Sequence, residues 1–163
     1  MINYPFSLKD NVNKNINNKN KGMFLEDVIN NTNEYYRLNN IALIYKKPTP
    51  IQIVKLSTDK KYIDFEAKEC TSTTSFPLKN IKEYQLNHLT KVNDFQGIGF
   101  IIFYFTKIEK FYLLYINEIN DYIKNNSKRS SIPLTYFKEK NHEITLNLNF
   151  RIDYLKEIDK IIS

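Results

Sequence analysis

The eight residues Ile98 to Phe105, IGFIIFYF, carry no polar side chain on either strand face, so a strand here is buried between two layers. Gly97 and Gly99, two of only three glycines in 163 residues, sit at its start and point to tight backbone approach there. The chain is long enough for one domain with a real core and too short for two.

Tyr62-Ile63-Asp64-Phe65-Glu66-Ala67-Lys68-Glu69 has a different pattern. At the two-residue period of a strand, Ile63, Phe65 and Ala67 share an apolar face, and Tyr62, Asp64, Glu66 and Lys68 share the other. Two carboxylates and an ammonium thus follow one another at steps of about 6.6 Å. Two readings stand. The row is a solvated face with an Asp/Glu–Lys ladder, or a carboxylate holds a divalent cation while the next lysine reaches the same anionic substrate.

Around these strands the periodicities place alternating elements. Residues 1–21, dominated by Asn and Lys, lack the apolar content to order themselves and read as a flexible basic arm; residues 22–163 form the domain. Met23 to Leu38 steps its apolar residues by three and four, an amphipathic helix closed by Asn39-Asn40. Glu26 sits at the margin of its stripe, either solvated or looking into a cleft beside the sheet. Ile41 to Tyr45 is a short strand. Ile51 to Leu56 pairs with Tyr62 to Cys70 as a hairpin with residues 57–61 at its tip. Between Tyr45 and Ile51 the run Lys46-Lys47-Pro48-Thr49-Pro50 is extended, and its lysines suit phosphate contacts. Lys60 and Lys61 join them as candidate DNA contacts, with Thr73 and Thr74 in the hydroxyl-rich run Thr71 to Ser75.

The spacing predicts a second helix over Leu78 to Val92 whose stripe, Leu78, Ile81, Gln85, Leu89 and Val92, contains an amide at a core position. Gln85 is therefore satisfied by backbone groups or turned to the polar face of the central strand. His88 beside it reads as a satisfied helix histidine, and with two histidines in the chain a His-based metal site or triad is not expected. Further expectations are a strand over Phe111 to Ile116, a helix capped by Asn117, a short element near Pro133 to Glu139, an edge strand over Ile144 to Leu148 and a closing helix over Ile152 to Ile161. The fold class is α/β or α+β, a mixed central sheet flanked by helices. The net charge of +6 favours an anionic partner. One cysteine, Cys70, excludes an internal disulfide and points to a reducing compartment. No apolar run approaches a membrane span, so a soluble cytoplasmic protein is expected.

A carboxylate two residues before a lysine on a central strand, after a hairpin and before a helix, is the layout of nucleases with the restriction-endonuclease core. The runs GMFLEDVINNTNEYY (22–36), IALIYKKPTPIQIV (41–54), YIDFEAKE (62–69), TSFPLKN (74–80), Gln85 and RIDYL (151–155) go further. In that order they resemble the RecU family of Holliday junction resolvases, over nearly all of the chain from Gly22 to Ile161.

The resemblance implies a homodimeric, Mg2+-dependent endonuclease, with Mn2+ able to substitute, that cuts four-way DNA junctions during recombination and repair and works alongside a recombinase. It makes Glu66 a metal ligand, Gln85 a ligand directly or through water, and Lys68 the cation that stabilises the transition state. The family carries a long insertion between the two hairpin strands, with a stalk and a Thr-x-Asp motif, where this chain has only Lys55 to Lys61. Ser57-Thr58-Asp59 resembles the end of that motif, but a tip residue of a tight hairpin lies more than about 15 Å from Glu66. Three arrangements stay open: Asp59 folds back, Asp64 replaces it, or the metal site is degraded and the protein binds junctions without cutting them.

Overall fold

Backbone pairing in the computed structural model, which describes residues 23–45, 51–55 and 62–162, follows from the two strands above. The arm of 1–21, Lys46 and Lys47, and the hairpin tip with Asp59, Lys60 and Lys61 lie outside the described residues. The elements run α1 (Met23–Leu38), β1 (Ala42–Tyr45), β2 (Ile51–Lys55), β3 (Tyr62–Cys70), β4 (Ser75–Pro77), a 3-10 turn (Leu78–Asn80), α2 (Glu83–Asp94), β5 (Ile98–Phe105), β6 (Lys110–Tyr115), α3 (Ile116–Asn125), β7 (Ser131–Pro133), α4 (Leu134–Lys140), β8 (Glu143–Ile144) and α5 (Tyr154–Ile162).

Six strands form a mixed sheet in the order β1-β2-β3-β5-β6-β8. β3 and β5 are parallel, with Asp64 opposite Gly99, Glu66 opposite Ile101 and Lys68 opposite Phe103, and all other pairs are antiparallel. The crossover between the parallel pair carries α2, as parallel pairing requires a long connection.

β5 is buried at all of its positions because helices cover both faces of the sheet. On one side Ile63, Phe65, Phe100 and Ile102 pack against α1 and α5, with Phe65 and Phe100 stacked at 5.0 Å. On the other, Ile101, Phe103 and Phe105 meet α2, α3 and α4. Cross-chain hydrogen bonds fasten the first layer: Thr32 Oγ1 accepts from Ile152 N at 3.0 Å, and Tyr36 OH donates to Asp153 Oδ1 at 2.6 Å. Two of the runs quoted above, 22–36 and 151–155, are thus one interlocked layer. Glu26 is exposed on α1, on that same layer.

Several boundaries differ from the sequence-based expectation. Leu78 to Asn80 is a 3-10 turn and α2 begins only at Glu83, because Pro77 and Leu78 are held by pairing with β7 and by Leu78 N donating to Ser130 O. The cap of α3 is Tyr115, whose N–H donates to Glu118 Oε2 at 2.9 Å, so Ile116 is helical and Asn117 is not the cap. The expected edge strand shrinks to Glu143–Ile144 plus an isolated bridge from Leu146 to Ile152. The short β4–β7 sheet was not anticipated, since three-residue strands ending in proline show no period to read.

Candidate active site

α2 crosses the charged face of β3, and glycine sets how closely. A Cβ at Gly99 would stand 2.6 Å from Leu89 O, so the helix backbone rests on the strand where a side chain would hold it off. A Cβ at Gly97 would meet Val92 O at 2.8 Å. With Val92 above Gly97 and Leu89 above Gly99, the next inward position one turn earlier is Gln85, which falls over Glu66.

Gln85 is buried and its amide is used at both ends. Its Oε1 accepts from Lys82 N at 3.1 Å, closing the first turn of α2, and its Nε2 donates to Glu66 Oε2 at 2.7 Å. Both options left open by the sequence, a backbone partner and an orientation toward the polar face, hold together. Lys68 Nζ lies 3.7 Å from the same Glu66 oxygen, and both side chains are largely covered.

The charged face is not a solvent face. Asp64 is fully buried under α2. Its Oδ2 accepts from Tyr62 OH at 2.9 Å and lies 2.8 Å from His88 Nε2, while its Oδ1 has no hydrogen-bond partner. Nothing in the residue pattern joins His88 to Asp64. The available signal was its place three residues after Gln85, on the flank of the same stripe.

Burial dominates the electrostatics. It raises the pKa of Glu66 above its ordinary value, the Lys68 ammonium pulls it back, and the charge of Asp64 pushes it up again. Burial likewise lowers Lys68, against the attraction of Glu66 and together with the nearby charge of Lys82, a cation that sequence reasoning did not single out. Both partners are shifted toward neutrality, so desolvation outweighs their mutual attraction.

The donor set suits a hard divalent cation. Glu66 and Asp64 supply carboxylate oxygens, Asp64 Oδ1 being unsatisfied although buried, while Gln85 turns its amide nitrogen to Glu66 and its oxygen to Lys82 N, so it would ligate a cation only after an amide flip. No group of three or more His, Cys, Asp or Glu side chains among the described residues is arranged to hold a metal ion by itself. A Mg2+-type site needs only one or two carboxylates when substrate phosphate and waters complete the shell. Thr73 and Thr74 are exposed on the loop after β3, where Ser72 Oγ accepts from Thr74 N and Ser75 N.

A mixed sheet whose parallel central pair presents Asp64, Glu66 and Lys68 to a covering helix is a nuclease-like core. The family model described as Recombination protein U (RecU) matches residues 20–61 and 58–160. A Pediococcus pentosaceus protein named Holliday junction resolvase RecU is 40% identical over 169 residues, covering 87% of this chain and 84% of its own. An Oceanobacillus iheyensis protein of the same name is also 40% identical over 169 residues, covering 87% and 86%. One from Streptococcus mutans is 34% identical over 193 residues, covering 99% and 98%. The chain belongs to the RecU family. The family match divides at the β2–β3 connection, and the last alignment is longer than the 163 residues of this chain, so that relative carries residues with no counterpart here. Among the described residues no helix is long and apolar enough to cross a membrane.

Proposed function

We propose that the protein is a divalent-metal-dependent endodeoxyribonuclease that resolves four-way DNA junctions in recombination and repair. The observation that carries this reading is the convergence of Glu66, Lys68 and Gln85, with Gln85 Nε2 at 2.7 Å and Lys68 Nζ at 3.7 Å from one carboxylate oxygen, in a chain of this family. Glu66 and Asp64 would hold Mg2+, or Mn2+ in its place, with Gln85 joining them if its amide flips to turn Oε1 from Lys82 N toward the ion. The ion would lower the pKa of a bound water and neutralise the scissile phosphate.

The chain's own side chains set the geometry. Gln85 fixes the Glu66 carboxylate from above, while Tyr62 and His88 fix Asp64 and leave its other oxygen bare. Lys68, one pleat along, offers a partly desolvated cation to the negative charge that builds on phosphorus as water adds and one P–O bond breaks. Lys46, Lys47, Lys60, Lys61, Thr73 and Thr74 are proposed contacts to the DNA backbone. Each chain has one such site and resolving a junction takes two cuts, which supports a homodimer.

A second reading is a weakened enzyme that binds junctions without cutting them. It is favoured by the absence of a third acidic ligand among the described residues and by the division of the family match at the hairpin. A synthetic four-way junction incubated with Mg2+ or Mn2+ separates the two. Symmetric nicks are expected, abolished by Glu66→Ala and slowed about a hundredfold or more by Lys68→Ala. Tight binding with no nicks would establish the second reading instead.

A further inference from the structure

One flank of α2 carries side chains that, His88 apart, the chemistry above leaves unused. Tyr84, His88, Lys91 and Phe95 follow at steps of four, three and four, which puts them within about 60° of arc along roughly 16 Å of helix. Tyr84 is 64% exposed and Phe95 86% exposed, unusual for aromatic rings in a chain whose other phenylalanines mostly fill the core. Lys91 is exposed between them. At the lower end of this face Tyr62, His88, Lys91, Val92 and Phe95 line an open notch of about 320 Å³.

The notch is continuous with the candidate active site. Tyr62 and His88 form its wall and are the two groups that grip Asp64 Oδ2. Phe95 lies ten residues along α2 from Gln85, about 15 Å from the side chain that stands over Glu66, so a strand engaged at Glu66 and Lys68 reaches this face a few nucleotides away. Exposed aromatic rings beside a lysine are a surface on which unpaired bases stack while the backbone is neutralised. A flat π-face accepts any base, which suits an enzyme that selects branched DNA by shape.

Resting on the reading of the site as a nuclease, we propose that the Tyr84–Phe95 face of α2 is a stacking platform for an unpaired nucleobase a few nucleotides from the cleaved position, with Phe95 as the principal ring and Lys91 as its phosphate contact. Phe95 then acts in binding and positioning the strand, not in the chemistry.

The test is a thermodynamic cycle between protein and DNA, read as junction affinity by fluorescence anisotropy without divalent metal. Phe95→Ala weakens binding about tenfold and Phe95→Tyr restores it. Replacing the nucleotides that flank the crossover one at a time by abasic sites finds one that costs the wild type the same factor and costs Phe95→Ala nothing further. Phe95→Ala leaves the slope of affinity against salt unchanged, while Lys91→Ala reduces it by about one. Losses that simply add at every position, an unaltered affinity, no DNA binding by the wild type, or a changed oligomeric state of Phe95→Ala on sizing each overturn the proposal. Cleavage with Mg2+ is scored separately, so a wild type that binds but never nicks removes the nuclease reading and leaves the cycle readable.

Discussion

At position 66 the folded chain holds a carboxylate whose neutral form it favours. Burial raises its pKa above the ordinary 4.5, so folding is helped below that value and the help is lost as pH rises through the raised one. Lys68, lowered by burial, is in the mirror situation. At neutral pH the ion pair is therefore a poor stabiliser, in keeping with the role toward phosphate proposed for it. Lys68→Met leaves Glu66 charged without its cation and should destabilise by about 1–2 kcal/mol at pH 7. That penalty should shrink as pH falls toward 4.5 through the raised pKa of Glu66, where the carboxylate takes up a proton. Glu66→Gln with Lys68→Met removes both charges while keeping an acceptor for Gln85, and should return to within about 1 kcal/mol of the wild type. Urea unfolding of the three proteins at two pH values checks this; cleavage should be lost in both variants. The sequence showed this pair and the misplaced amide of Gln85 because each violated a local pattern. It did not show the Tyr62–Asp64–His88 group, whose members look ordinary until α2 lies on β3.

α2 is where sequence pattern and final geometry part by the widest margin. Its buried positions Gln85, Leu89 and Val92 follow from a three- and four-residue stripe, yet its first turn does not start at Leu78, because β4–β7 pairing holds that segment first. Helix position along β3 is set by two missing side chains, at Gly97 and Gly99. Gly99→Ala would drive a methyl group to 2.6 Å from Leu89 O, and that contact is backbone, which cannot rotate away. The expected cost is about 1–3 kcal/mol, read from the midpoint of a urea titration. Raising α2 also lifts Gln85 from Glu66, so cleavage at a temperature where the variant is fully folded should fall more than its stability does. Equal junction cleavage by folded Gly99→Ala and wild type would show that helix height does not govern the site.

Across the molecule, the doubly apolar β5 was enough to require layers on both sides, and the structure supplies α1 with α5 on one and α2, α3 and α4 on the other. What periodicity could not convey was the size of the β2–β3 hairpin relative to other members of the family. The pairing of Val54 with Tyr62 leaves only residues 55–61 to join the strands. The family match divides within that segment, and the Streptococcus mutans relative aligns over 193 positions. A long projection beside the active site can sense the open centre of a junction; a connection of this length has little reach beyond the sheet. On the proposed reading, what remains for DNA binding is charge, the surface around β3 and the α2 face, and the first two engage linear duplex as well as branched DNA. The ratio of junction affinity to linear-duplex affinity should accordingly be at least about tenfold smaller for this chain than for the Streptococcus mutans protein at the same salt. Grafting that protein's β2–β3 segment between Val54 and Tyr62 should raise the ratio while leaving the metal-dependent rate on a bound junction within a few-fold, since Glu66, Lys68 and Gln85 are positioned by β3 and α2 alone. A graft that folds and binds no more selectively would place the source of discrimination elsewhere on the surface.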